Sequence, residues 1–197
     1  METVLSICLG IGLSAASGFR VFVPLLVMSI ASLSGHLTLA QGFQWIGTYP
    51  ALIAFSVATC MEVAAYYVPL VGHLLDILAT PSAIVAGIII TASVITEMSP
   101  LMKWALAIIA GGGVAGIVQG STVFARGAST AATGGFGNIV VASFELAGAV
   151  VTSILALVAP FVVVVLLVGL LVIIGIKWLR RKPKSLGSCA QPGPITN

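Results

Sequence analysis

Three charged side chains stand inside apolar sequence: Arg20 in "GLSAASGFRVFVP", Glu62 in "VATCMEVA" and Glu145 in "VVASFELA". Each lies near the centre of its segment, where a charge costs about 2.5 to 3.5 kcal/mol on membrane-insertion scales. A buried arginine can neutralise one carboxylate and lock two helices together, but it cannot neutralise two. The other glutamate must then be protonated, hydrated or partnered from outside the chain. Arg20, Glu62 and Glu145 therefore form a candidate substrate or ion site, with one glutamate a candidate proton or cation carrier. The plainer alternative is that these charges only hold helices together.

A second group lies in "ARGASTAATGGFGN", expected as a loop over 125–137. Arg126, the hydroxyls of Ser129, Thr130 and Thr133, and flexible glycine backbone are the groups that anion capture uses. Arg126, Ser129 and Thr130, with Asp76 from "GHLLDILATP", are the candidate anion or gate residues at the cytoplasmic mouth. An ordinary solvated loop has the same composition, and Asp76 facing water beside His73 is the plain account of that stretch. No nucleophile elbow, metal-ligand spacing or phosphate loop is present, and His36 and His73 fall in loops expected on opposite faces. The chain is accordingly expected to be no enzyme and to hold no cofactor or metal. Cys8, Cys60 and Cys189 are odd in number and suggest no disulfide framework.

The elements that must position these residues follow from composition. Of 197 residues 59% are hydrophobic and 7% charged, and the mean hydropathy is +1.22, whereas soluble domains carry roughly 25% charged residues. The sequence therefore describes an all-α integral membrane protein with the lipid bilayer as its first partner. The net charge of +3 comes from a cluster near the C-terminus (Lys177, Arg180, Arg181, Lys182, Lys184), so it reports topology and gives no reason to expect nucleic acid. The N-terminal run has Glu2 as its only early charge and continues too far for a signal peptide, which marks it as a retained membrane segment.

With about 20 apolar residues per crossing, six spans are expected, at 4–33, 49–68, 81–98, 102–124, 138–157 and 160–178. The first is long enough to hold a break at its Gly/Ser/Ala centre. Only Ala159 and Pro160 separate the last two. A single helix over 138–178 would run roughly 60 Å, about twice the hydrocarbon thickness, so a hairpin is preferred to one kinked helix. Six spans put both termini on one side, and "IKWLRRKPK" makes that side cytoplasmic. The loops at 69–80 and 125–137 are then cytoplasmic too, and 179–197 is a basic, disordered tail. Trp45, Trp104 and Trp178 are expected as interfacial anchors.

A weak repeat runs through the chain. At an offset of 102, Gly10, Gly18, Val21 and Phe22 fall on Gly112, Gly120, Val123 and Phe124, and Gly116 completes the second ladder; at an offset of 83, Glu62 falls on Glu145. Three spans per half give two inverted repeats, 1–98 and 99–178, as in many secondary transporters. Gly10, Gly18, Gly112, Gly116 and Gly120 are expected to let helices approach closely, and both glycine-rich segments are poor helix formers that could unwind beside a cavity.

The blocks "GFRVFVPLL", "SGH", "ATCMEVAAYYVP", "LLDILATPSAIVAG", "WALAIIAGGGVAG" and "RGASTAATGGFGN" resemble, in the same order, the bacterial membrane proteins grouped as domain-of-unknown-function family 4126. The resemblance covers nearly the whole chain up to the basic tail and implies a multi-pass helical protein of the inner membrane, with no activity attached. Many members carry an Asp-Lys pair where Tyr66 and Tyr67 stand here, so no role of that pair transfers. The expected function is movement of a small solute or ion across the inner membrane through a midplane site between the repeats. The alternative is a non-transporting module that organises lipid or a partner protein; either is compatible with a homo-oligomer.

Overall fold

A computed structural model of the chain describes residues 2–67 and 69–180. The tail expected from 179 onward lies outside the described residues beyond Arg180, Cys189 included, as do the side chains of 69–76, with His73 and Asp76, and of Trp178. All regular structure among the described residues is helical: α1 (Glu2–Phe19), α2 (Phe22–Leu33), a 3-10 turn (Gln44–Gly47), α3 (Tyr49–Tyr66), α4 (Pro69–Val94), α5 (Pro100–Leu106), a π turn (Ala107–Gly112), α6 (Gly113–Thr133), α7 (Asn138–Val158) and α8 (Pro160–Arg180). Residues up to Val165 form one compact unit, and Leu166 opens a second that continues α8.

Among the described residues, five segments are long and apolar enough to cross a membrane: Glu2–Phe19, Tyr49–Tyr66, Ile77–Val94, Pro100–Thr133 and Asn138–Val158. Their faces are sorted as lipid would sort them. On α3, Tyr49, Ile53, Val57 and Met61 recur every fourth residue and are exposed, while Glu62 and Tyr66 are buried. On α7, Phe144, Val151 and Val158 face outward and Glu145 and Ser153 inward. Apolar surface on this scale is tolerated where the surroundings are themselves apolar.

The expected first span, 4–33, is two antiparallel helices. Along α1, Gly10 packs on Thr91 and Val94, Ser14 Oγ donates to the Gly87 carbonyl at 2.8 Å and Ser17 Oγ to that of Ala83 at 3.4 Å, so α1 runs opposite to α4. The chain then returns, because the Ala40 amide beyond α2 donates to the Ser93 carbonyl at 2.7 Å, level with Gly10 again. Pro24 explains where the turn falls. It has no N–H to offer the carbonyl four residues back, and its ring would collide with that carbonyl, which belongs to Arg20. Within the first turn of α2 the same proline is harmless.

This reversal corrects two expectations. Glu2 shares a cleft with His36, Glu97, Leu157, Val158 and Pro160, so the N-terminus lies at the end of the bundle that holds the 95–99 turn. It does not lie at the end of the 134–137 turn, where the six-span scheme put it. The glycines matched at an offset of 102 also sit on helices that run the same way: α4 is antiparallel to α1, and antiparallel to α6 through Gly116 on Ile84 and Gly112 on Ile88. That pair of ladders is not inverted. Glu62 and Glu145, in contrast, lie on antiparallel helices.

Glycines bring helices close at some of these positions and not at others. A Cβ on Gly18 would come within 2.6 Å of Val118 and 2.7 Å of the Ala115 carbonyl, and one on Gly10 within 3.1 Å of Thr91, whereas one on Gly120 would meet open space. Residues 138–178 are two helices broken at Ala159 (φ −144°, ψ 68°), and Gly12 abuts both Ala156 and Val163, so the chain doubles back there. The stretch 69–80, expected as a loop, belongs to α4, which continues through Pro81.

Candidate functional site at the hairpin tip

Arg20, at the turn between α1 and α2, is the largest fully buried side chain described, 1% exposed. Its Nη2 donates to the Ala142 carbonyl at 3.0 Å and lies 3.8 Å from Glu145 Oε2. Its Nε and Nη1 have no hydrogen-bond partner. Glu62 completes the turn from α3: its carboxylate accepts from the Val21 amide at 2.9 Å and from the Phe22 amide at 3.2 Å. Those amides open α2, where no residue four back supplies an acceptor and the helix dipole is positive. A carboxylate there makes charge-assisted bonds with the first turn, so Glu62 fixes the tip although 41 residues separate it from Val21.

Arg126 is the residue that loop composition misplaced. It lies in α6, 4% exposed, and holds Glu145 in a two-pronged ion pair, Nε to Oε1 at 2.9 Å and Nη2 to Oε2. The group therefore contains two guanidiniums and two carboxylates, and the surplus-glutamate count does not hold. Tyr66, one turn beyond Glu62, joins them, with the guanidinium carbons of Arg20 and Arg126 4.0 Å and 4.1 Å from its ring centre. An aromatic face attracts such cations, more strongly where water is excluded. Sequence reasoning noticed Tyr66 as a departure from family pattern; its i+4 spacing from Glu62, which puts both on one helix face, was the available signal.

The remaining gate candidates are spent on local structure. Thr130 Oγ1 donates to the Arg126 carbonyl at 2.9 Å and accepts from Asn138 Nδ2 at 2.8 Å, while the Ser129 carbonyl accepts from Thr133 Oγ1. Gly134, at φ +63°, ends α6 in the left-handed conformation that glycine adopts without strain. Ser129 and Thr130 thus staple the α6/α7 turn rather than forming an open loop, and Asp76 lies in α4 with its side chain outside the described set. No cluster of three or more metal-type ligands occurs among the described residues; Cys8 is buried and Cys60 exposed, and neither is bridged.

The group sits toward one end of the bundle rather than at its middle. Glu62 is about one turn from the end of α3, and Arg126 and Glu145 are about two turns from the α6/α7 connection. Fold and site together define an all-helical protein with apolar outer faces, in which a buried Arg/Glu/Tyr group is organised by a helix-hairpin tip. The chain belongs to the family described as a domain of unknown function, DUF4126, whose model matches residues 7–181. No curated protein and no solved structure matches it.

Proposed function

We propose that this protein moves a small solute or ion across the bacterial inner membrane, and that Arg20, Glu62, Tyr66, Arg126 and Glu145 form its substrate site. The carrying observation is Arg20: a guanidinium sealed in the bundle with two donor atoms unused. A purely structural arginine would be expected to satisfy its donors, because each buried unpaired donor costs about 1 to 3 kcal/mol. Broken helices whose ends face a polar site are also how many carriers hold their substrates. In this reading α2, α3 and α4 form one repeat and α6, α7 and α8 the inverted other, each giving an arginine beside or on its first helix and a glutamate on its second, with α1 threaded between. Including α1 as a full crossing and α2 as a short return replaces the six-span scheme and its 1–98 and 99–178 halves. The basic tail is cytoplasmic by its charge; the N-terminus and the α6/α7 turn face opposite sides.

The runner-up is a non-transporting membrane module, and the closed Arg126/Glu145 pair favours it, since such a pair locks α6 to α7 without any substrate. Purified protein in proteoliposomes separates the two. Transport predicts saturable flux of a small solute or ion that Arg20→Met abolishes while the protein still folds. A broad solute and ion screen without saturable flux under any gradient would leave the module.

A further inference from the structure

The groups that meet at the hairpin tip are N–H donors, some open and some occupied. Arg20 offers Nε and Nη1, and the start of α2 offers the Val21 and Phe22 amides, which Glu62 occupies. A carboxylate supplied by the chain itself thus fills a place built for an oxyanion, beside a guanidinium that is 99% buried and incompletely used. We propose that the tip of the α1/α2 hairpin binds a small oxyanion, a carboxylate or a phosphate, which displaces Glu62 from the Val21 and Phe22 amides and adds the open donors of Arg20.

Charge fixes what must accompany it. The charged groups that Glu62 feels are Arg20 from the turn and Arg126 from α6, and Glu145 from α7 and Tyr66 from its own helix contact those two guanidiniums; the side chains of 69–76 on α4 lie outside the described set. Two guanidiniums and two carboxylates cancel. An added anion would leave a net negative charge in a medium where unpaired charge is costly. If Glu62 takes a proton from bulk water as it leaves the amides, the balance is kept: one anion and one proton enter, and no covalent bond other than the new O–H changes. This deepens the transport reading by naming the substrate class, and rests on it only for the crossing.

The test is made on the whole chain in detergent, titrated with sodium acetate, with sodium phosphate and, as the lipid form of the same chemistry, with dioctanoyl phosphatidate. Saturable thermal stabilisation by acetate or phosphate is expected, with uptake of one proton per bound anion in weakly buffered solution. Stabilisation by phosphatidate alone would assign the site to a lipid headgroup and overturn the free-anion proposal. Glu62→Gln should tighten anion binding about tenfold and abolish the proton uptake, and Arg20→Lys should weaken it about tenfold. Should Glu62→Gln fail to fold, proton uptake by the wild-type protein decides by itself. Absence of saturable stabilisation, binding without proton uptake, or binding unmoved by both substitutions overturns the proposal. Anion binding with proton uptake but no flux in proteoliposomes would keep the site and reject transport; flux of a cation or neutral solute without anion binding would do the reverse.

Discussion

Two regions of this bundle bury polar groups among apolar helices, and they do so differently. Where α1 crosses α4, Ser14 Oγ lies 2.7 Å from Thr91 Oγ1 and donates to the Gly87 carbonyl at 2.8 Å, while Thr91 Oγ1 reaches the Gly10 carbonyl at 3.3 Å. Every partner is neutral, each hydroxyl is satisfied, and the glycines on either side allow the helices to touch. At the hairpin tip the groups are charged, come from four separate elements, and leave donor atoms on Arg20 unused. A buried polar group left short of partners calls for an explanation, and at the tip that group is a guanidinium, a costly kind to leave short.

The largest effect that sharpens this contrast belongs to the ion pair. Arg126→Met strands the Glu145 carboxylate and should destabilise the protein by about 3 kcal/mol, the lower end of the range for breaking a buried pair because Arg20 stays nearby. Adding Glu145→Gln should restore much of that loss, and adding Glu62→Gln should not. Thermal unfolding of the variants in one detergent measures both. Equal restoration by the two glutamines would mean that the carboxylates are interchangeable and the tip has no fixed arrangement.

Packing comes next. Gly18→Val drives a side chain into Val118 and the Ala115 carbonyl and should cost about 1 to 3 kcal/mol. Gly120→Ala meets nothing within 4 Å and should be neutral or stabilise by up to about 1 kcal/mol. The same unfolding assay reads both, and a costly Gly120→Ala would place an unseen partner on that face. Smallest is the hydroxyl crossing. Thr91→Val removes the acceptor and donor of one satisfied contact, at about 1 kcal/mol, and should leave any flux intact, whereas Arg20→Met should abolish flux.

Much of this was legible in the sequence. The apolar runs marked the helices, the Ala159–Pro160 junction marked a hairpin, and Arg20, Glu62 and Glu145 lie in one group. Arg126 was not legible, because Gly, Ser and Thr around it read as a loop, whereas the helix runs on to Thr133, tied to α7 by the Arg126–Glu145 pair and by the Asn138 amide on Thr130 Oγ1. Nor was the reversal at Arg20: two helices of 18 and 12 residues joined without a polar loop look like one long span. Pro24, four residues beyond Arg20, was the local sign of a break, but no hydropathy pattern tells a kink from a reversal. The direction of α2 is decided by distant groups, the Glu62 carboxylate on its first amides and the Ser93 carbonyl beyond its end.

That reversal is the claim on which the site, the topology and the anion reading all stand, and paired labelling tests it. With Cys8, Cys60 and Cys189 replaced by alanine, Thr3→Cys and Thr38→Cys should react with a membrane-impermeant maleimide from the same side of oriented vesicles, and Ser129→Cys from the other. One continuous span over 4–33 requires Thr3 and Thr38 to react from opposite sides, and that result would contradict the hairpin.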